Sequence, residues 1–297
     1  MTNIIKNKKI AIMGSSPLMI ILFYFLKSKN EVVIFEENKI LGGAWKLQKY
    51  KSTFINSYSN VVLPFSDEDY NKQIRINTIL KKKKIGIKIK ESNKKIFALY
   101  KPKKYFEYNF SSMYEKFLKN LKNIKKNKVK KITLLENDKI RINEKKNFDL
   151  IFFPSYFGVD HFFFKKKKIN IDFKLITSSH VSVFTNNINE NLIYSDFYNK
   201  YFDRINMHKY KGFFHMTARV SKKLKSSKLG FLKKKFAASF PQILIKKLII
   251  KKYKNYYRDQ YQLNNLKKKL NKKKIIYINT TSFIVGIYQI LKLVRKY

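Results

Sequence analysis

The sequence contains no cysteine, and it is poor in glycine and proline, which number 8 and 5 among 297 residues. The lack of cysteine excludes disulfide bonds, thiolate metal sites and a Cys-x-x-Cys redox pair, and it fits a reducing compartment. So few glycines and prolines leave little chain for long flexible linkers. With 44% hydrophobic residues, the chain can bury a substantial core. We therefore expect a compact protein and assign it to the cytoplasm.

Arginine is also scarce, since it supplies only six of the 66 basic residues, against 19 acidic ones. The formal net charge of +47 suggests a nucleic acid or an anionic membrane surface as partner. However, phosphate and base recognition favours the planar guanidinium of arginine, and no nucleic-acid-binding motif accompanies the lysines. The excess of Lys, Asn, Ile, Phe and Tyr is what AT-biased codon usage would produce. We predict no specific nucleic-acid partner, and we keep a basic protein of nucleic acid or membrane surfaces as an alternative.

An apolar stretch from Ile10 to Leu26 follows the basic N-terminus and could be read as a signal anchor. A turn-forming tetrapeptide interrupts it, and its length is at the short limit for a membrane span. A strand, a turn and a helix explain it better, because a second apolar strand follows closely. We therefore predict no transmembrane segment, while peripheral membrane contact stays open. The predicted elements are a strand over 9–13, a turn at Gly14, Ser15, Ser16 and Pro17, a helix over 18–26 and a strand over 31–36.

The spacing of Gly14 and Glu36 in this βαβ unit indicates a binding function. A glycine at the first strand-to-helix turn lets the backbone turn tightly and directs helix N–H groups at a pyrophosphate. An acidic residue about 20 positions later, at the end of the second strand, can accept hydrogen bonds from adenosine ribose hydroxyls. The G-x-G-x-x-G fingerprint is degenerate, because Ser16 and Met19 replace its second and third glycines. The pattern alone predicts a dinucleotide-binding site with altered helix packing.

Residues 36–45 read EENKILGGAW and make the pattern more specific. This segment resembles the amine oxidase and UDP-galactopyranose mutase group of flavoproteins. In that group a glycine pair follows the ribose-binding acid by six and seven residues and passes close to the FAD pyrophosphate. The resemblance implies FAD as cofactor and a Rossmann-like fold, whereas the other reading of the glycine pair is an ordinary turn. The cofactor-binding residues implied here are Glu36, Glu37, Gly42, Gly43, Ala44 and Trp45.

Later segments match the order that the resemblance implies. A helix over 112–124 and a strand over 129–132 would lie near the adenine, which places Val129 at the cofactor. A hairpin strand at 140–142 and a buried strand over 149–154 would return to the cofactor sheet, so that Pro154 and Ser155 end near the cofactor. A strand over 274–278 leads to a helix over 283–294, and the residues between them would point at the flavin or pyrophosphate. Thr280 and Thr281 are the site candidates there, although Asn279 to Ser282 also read as plain helix caps.

The predicted fold class is α/β, with a Rossmann-like FAD/NAD(P)-binding domain and an inserted α+β substrate lobe. The cofactor domain is discontinuous and comprises residues 1–60, 110–160 and 272–297. The substrate or cap lobe comprises residues 61–109 and 161–271. In this lobe the sequence predicts strands over 173–185 and 192–194, a glycine-punctuated stretch near 212–220 and a basic-aromatic helical stretch from Phe231 to Leu270.

Catalytic candidates are few, because a flavin carries the electron transfer itself and asks the protein mainly for positioning. The four histidines show no metal-ligand spacing, so we predict no metal site. Each candidate also has a structural reading, as a core histidine or a salt-bridging arginine. The polar side chains selected for the substrate side are Tyr58, His180, Arg204 and Arg219.

The sequence therefore predicts an FAD-dependent oxidoreductase-like enzyme with a small-molecule substrate. The reaction would be hydride transfer to the flavin from an amine, an alcohol or a nucleotide sugar, or electron shuttling without net redox as in the sugar mutases. An alternative is a degenerate relative that keeps the fold, has lost tight FAD binding and acts as a scaffold. Substrate, electron acceptor and oligomeric state stay open, because they depend on inserts without a motif.

Overall fold

The structure is a computed structural model, and it describes most of the chain. The described residues are 5–42, 48–50, 53–55, 61–93, 95–97, 103–119, 121–154, 159, 161–164, 167–169, 174–186, 192–194, 199–210, 212–221, 224, 228–257, 274–278, 280 and 283–296.

The helices within these residues are α1 (Pro17–Leu26), α2 (Asp67–Lys82), α3 (Ser111–Leu118), α4 (Leu229–Ser239) and α5 (Phe283–Lys296). The strands are β1 (Lys9–Met13), β2 (Glu31–Phe35), β3 (Gln48–Tyr50), β4 (Thr53–Ile55), β5 (Val61–Val62), β6 (Lys88–Ser92), β7 (Lys95–Phe97), β8 (Tyr105–Asn109), β9 (Ile124–Lys125), β10 (Lys131–Leu134), β11 (Ile140–Ile142), β12 (Lys146–Phe148), β13 (Leu150–Pro154), β14 (His161–Phe164), β15 (Lys167–Ile169), β16 (Lys174–Thr185), β17 (Leu192–Tyr194), β18 (Phe202–Tyr210), β19 (Phe213–Val220), β20 (Lys247–Tyr257) and β21 (Ile275–Ile278).

A parallel five-stranded sheet in the order β21-β13-β1-β2-β9 forms the centre of the first unit. β1, β2, β13 and β21 are mainly apolar, as expected of strands that are covered on both faces. Alternate residues of β1 enter two different cores. Ile10 and Ile12 pack with α1, α3 and α5, whereas Ala11 and Met13 face a second sheet. Helix α1 is apolar on nearly every side and packs between the sheet and α5.

The second sheet has the order β12-β11-β10-β14-β15 and covers the other face of the parallel sheet. β10, β11 and β12 form an antiparallel meander, and β14 pairs in parallel with β10. The predicted hairpin at 140–142 and the return of the chain through β13 to the central sheet are confirmed. Because β14 pairs with β10, the predicted division at residue 160 separates two strands of one sheet.

The second unit contains an antiparallel sheet in the order β18-β19-β16-β20. One face of this sheet carries Val181, Val183, Met216 and Ala218, which pack against α4. Three smaller sheets complete the described fold: β5-β8-β6, β17-β7 and β3-β4. The whole is a mixed α/β structure with a parallel sheet, as the sequence predicted.

Three predicted elements are present with other bounds, and part of one of them is a strand where a helix was expected. The helix expected over 112–124 ends at Leu118 and gives way to a 3-10 turn and β9. The strand expected over 129–132 begins at Lys131. The helical stretch expected from Phe231 to Leu270 is a helix only to Ser239, after which β20 pairs with β16 along its whole length. Long-range pairing determines that residues 247–257 form a strand, because their lysines and tyrosines indicate neither a helical nor a strand periodicity clearly. Residues 258–273 lie outside the described part.

Among the described residues, no helix has both the length and the apolar character needed to cross a membrane.

Candidate functional site

The turn after β1 brings the ends of two parallel strands together. Gly14 has φ 78°, in the left-handed region that glycine adopts without strain, and its N–H donates to the carbonyl of Phe35 at 2.7 Å. Met13 is in register with Phe35, so the tip of the turn faces the residue after β2. Ligands of open α/β sheets bind beyond this carboxyl edge of the strands.

Helix α1 begins at this turn without a side-chain cap. Ser16 is the N-cap residue and Pro17 the first helical residue, but the Ser16 hydroxyl makes no cap hydrogen bond. The Ser16 Oγ atom is buried and has no hydrogen-bond partner among the described residues. The first-turn N–H groups and the positive end of the helix dipole therefore remain available to an anionic group.

Glu36 follows β2 directly and is only 2% exposed. One carboxylate oxygen, Oε2, accepts hydrogen bonds from the backbone N–H of Ser15 at 3.1 Å and from its hydroxyl at 2.6 Å. The other oxygen, Oε1, accepts the backbone N–H and the side-chain amide of Asn38, both at 2.8 Å. A buried carboxylate is therefore held at the tip of the Gly14 turn by four protein donors.

Ser15 connects this carboxylate to the glycine segment. Its hydroxyl donates to Glu36 and accepts the backbone N–H of Gly42 at 2.8 Å, where Gly42 has φ 108°. The Ser15 carbonyl accepts the hydroxyl of Tyr114 on α3 at 3.1 Å. Burial, together with the charge of Glu36, raises the pKa of Tyr114 well above its usual value, so Tyr114 stays a neutral donor. The structure thus unites Ser15, Glu36 and Gly42 in one buried network.

Sequence reasoning missed Asn38 and Tyr114 as members of this network. Asn38 lies within residues 36–45, but the sequence pattern assigns it no role. The helical spacing around Tyr114 indicates only a core-facing helix. No spacing rule connects a tyrosine on α3 to a turn 99 residues earlier. The signal available was its burial-prone position between the apolar residues Met113 and Phe117.

Other cofactor candidates lie at the same edge of the sheet or next to it. Pro154 ends β13 and pairs with Ile278, which ends β21. On the other side of β13, Phe152 is in register with Ile12 of β1. Two residues further along both strands, Pro154 therefore lies level with Gly14. Thr280 is half-buried and comes two residues after β21, before α5. Glu37 is exposed beside Glu36. The edge therefore carries Gly14, Glu36 and Pro154 together.

Val129 occupies a different position. Its side chain is fully buried between the parallel sheet and the second sheet, in a core that includes Phe35 and Ile132. Its cofactor role stays a prediction that only its backbone could fulfil. The remaining candidates Gly43, Ala44, Trp45, Tyr58, Ser155 and Thr281 lie outside the described residues.

Two catalytic candidates of the second unit are cross-strand neighbours. His180 on β16 pairs with Arg219 on β19. The imidazole Nε2 of His180 lies 3.0 Å from the hydroxyl of Ser178, and Arg219 forms an ion pair of 3.2 Å with Asp203. Arg204 lies on β18, where the pairing with β19 shifts register between Asp203 and Asn206. Nothing further is described of the Arg204 side chain.

The same face of this sheet continues as a buried polar band. Ser182 pairs with Thr217, and the hydroxyl of Ser182 shares a hydrogen bond of 2.5 Å with Nε2 of His215. His215 is fully buried and stacks on Phe184. These polar side chains alternate with Val181 and Val183, which point to the α4 core, so the strand period of two separates a polar from an apolar face. Sequence reasoning selected His180 on this face but gave Ser182 and His215 no role.

The described residues contain no group of three or more histidine, aspartate or glutamate side chains that could hold a metal ion. The prediction that the protein has no metal site stays a prediction.

The comparisons with known proteins show the fold. No protein-family model matches the sequence, and no characterised protein matches it at the level of sequence. Among solved structures, a conjugated-linoleic-acid-producing fatty acid isomerase from P. acnes is similar at a TM-score of 0.59 and 10% identity, covering 99% of this chain and 100% of that one. Putrescine oxidase bound to putrescine has a TM-score of 0.60 and 8% identity, covering 98% and 97%.

An FAD-dependent oxidoreductase from Pseudomonas aeruginosa is similar at a TM-score of 0.51 and 10% identity, and the match covers 96% of this chain and 89% of that one. At these identities the likeness concerns the fold, which extends over almost the whole chain. The fold matches that of this FAD-dependent oxidoreductase and of putrescine oxidase, as the resemblance at residues 36–45 implied.

Proposed function

We propose that the protein is an FAD-dependent enzyme that oxidises or isomerises a small substrate. The observation that carries this proposal is the carboxyl edge of the parallel sheet, where the Gly14 turn, the uncapped start of α1 and Glu36 meet. The pyrophosphate would bind the N–H groups of the first α1 turn, and the adenosine ribose would bind Glu36. The fold neighbours support the same cofactor class.

The residues at the pyrophosphate position fit this group. Gly14 adopts a positive φ without strain and has no side chain to obstruct a phosphate. The buried Ser16 Oγ has no protein partner among the described residues, so it can donate to a phosphate oxygen. Met19 replaces the third glycine of the fingerprint, and it is fully buried between α1 and the sheet. The helix thus packs over a methionine side chain while its first turn still faces the sheet edge.

Glu36 lies where a ribose-binding carboxylate is expected, but protein donors already occupy both of its oxygens. Its acceptors are engaged by Ser15 and Asn38, so ribose hydroxyls can bind only where one of these donors withdraws. We propose that the withdrawing donor belongs to Asn38.

When bound, FAD would supply an acceptor for a hydride from an amine, alcohol or nucleotide-sugar carbon. Pro154 and Thr280, at the ends of β13 and just beyond β21, would position the flavin end. His180 and Arg219 would orient the substrate through their polar side chains, with the band of Ser182, Thr217 and His215 as further candidates. We place residues 1–60, 110–169 and 272–297 in the cofactor-binding unit, because β14 and β15 complete its second sheet.

A second candidate function is a scaffold that has kept the fold without catalysis. The saturated Glu36 carboxylate and the substitutions Ser16 and Met19 favour it, because each departs from a pocket formed for tight cofactor binding.

One experiment separates the two candidates. The purified protein is incubated with FAD, freed of unbound flavin by gel filtration and examined by visible absorption. Retained flavin bands at about one FAD per chain support the enzyme. Protein that elutes without flavin, and shows no FAD binding by titration, supports the scaffold.

A further inference from the structure

The acceptor capacity of the Glu36 carboxylate is full. A carboxylate offers two oxygens with about four lone-pair sites. Four donors occupy them in the structure, two from Ser15 and two from Asn38. Two ribose hydroxyls therefore cannot be added to this arrangement and must replace protein donors.

The two donor residues differ in how firmly they are held. Ser15 is fully buried; the Tyr114 hydroxyl bonds to its carbonyl and the Gly42 N–H bonds to its hydroxyl. Asn38 is only half-buried and precedes the exposed residues Lys39 and Ile40. Moving Ser15 would break bonds in the core, whereas moving the Asn38 amide exposes polar groups that water can satisfy.

Lys126 binds the backbone of the segment that carries Asn38. Its ammonium group is exposed and donates to the carbonyls of Asn38 at 3.3 Å and Lys39 at 2.8 Å. The backbone of segment 38–39 is thus bound by an exposed side chain, whereas the Asn38 side-chain amide is bound to Glu36. Of the two residues, Asn38 is the more exposed to solvent.

We propose that the Asn38 side-chain amide caps Glu36: it occupies the position of a ribose hydroxyl and so sets the affinity for the adenosine part of the cofactor. This inference rests on the proposed function. The cap stabilises the cofactor-free protein and competes with the ribose for Oε1. Asn38 thereby lowers the affinity for the adenosine part, whereas Ser15 positions the carboxylate.

The test combines a protein change with a ligand change. ADP and 2′,3′-dideoxy-ADP are titrated by calorimetry into the wild-type protein and into Asn38→Ala. The variant should bind ADP about threefold to tenfold more tightly, because the hydroxyls no longer compete with a neutral amide donor. Binding of dideoxy-ADP should change less than about twofold, because that ligand has no hydroxyls to compete. Asn137→Ala is the matched control, since Asn137 is an exposed asparagine in the β10–β11 turn, and it should leave both affinities unchanged.

The outcomes separate the cap from the cofactor proposal. FAD binding by the wild type, with ADP affinity unchanged or weaker in Asn38→Ala, overturns the cap alone. An equal gain for both ligands also overturns it, because general loosening of the segment would then be the cause. Absence of FAD and ADP binding in every protein overturns the proposed function and the cap together.

Discussion

Replacing Glu36 by glutamine tests the buried network in the free protein. The substitution keeps the size of the side chain but turns one acceptor oxygen into an NH₂ donor. If that NH₂ faces Ser15, it meets the Ser15 backbone N–H, and if it faces Asn38, it meets the Asn38 backbone N–H. Either orientation sets two donors against each other, because neither backbone N–H can reverse its role.

We expect Glu36→Gln to lower the free energy of unfolding by about 1–3 kcal/mol, the usual cost of one unsatisfied buried donor. The assay is urea unfolding followed by circular dichroism, with Glu115→Gln as control, since Glu115 is an exposed glutamate on α3. Glu36→Ala should also weaken FAD binding by about 1–3 kcal/mol, because the ribose loses its acceptor. Unchanged stability in Glu36→Gln would refute the network, and unchanged FAD affinity in Glu36→Ala would remove Glu36 from the ribose role.

Three further substitutions probe the same unit. Tyr114→Phe should cost about 0.5–1.5 kcal/mol of stability through the lost bond to the Ser15 carbonyl, and an unchanged urea midpoint would contradict that bond. Gly14→Ala should cost about 1–2 kcal/mol because φ is positive there, and a neutral result would argue against the turn. For Asp149, burial acts to raise the pKa, but the Lys139 ion pair and the Lys9 N–H lower it overall. Asp149→Asn should therefore cost about 1 kcal/mol at pH 7, and this cost should shrink as the pH falls below about 4 and through the lowered folded-state pKa, which unfolding over a series of pH values would check.

The central βαβ unit was predictable because local signals determine it. Pro17 suits the first turn of a helix, and the unbroken apolar strands on either side can only be buried on both faces. The Gly14–Glu36 spacing then follows from the length of one strand, one helix and one return. These are short-range constraints, and the structure confirms them.

The remainder depended on contacts between distant residues. β20 is a strand because it pairs with β16 along its full length. The local sequence from Lys247 to Tyr257 does not indicate this pairing. The Asn38 cap depends on the direction of one amide in a loop, and the His215–Ser182 pair depends on the register of two strands. The sequence therefore predicted that Gly14, Ser15 and Glu36 lie together, which the structure shows, but not the hydrogen bonds between them.

The most direct test of the cofactor site is a crystal structure of the protein with FAD. We expect the pyrophosphate at the N–H groups of the first α1 turn and one ribose hydroxyl on Oε1 of Glu36, in the place that the Asn38 side-chain amide has left. An FAD bound elsewhere, with Glu36 still closed by Ser15 and Asn38, would contradict it.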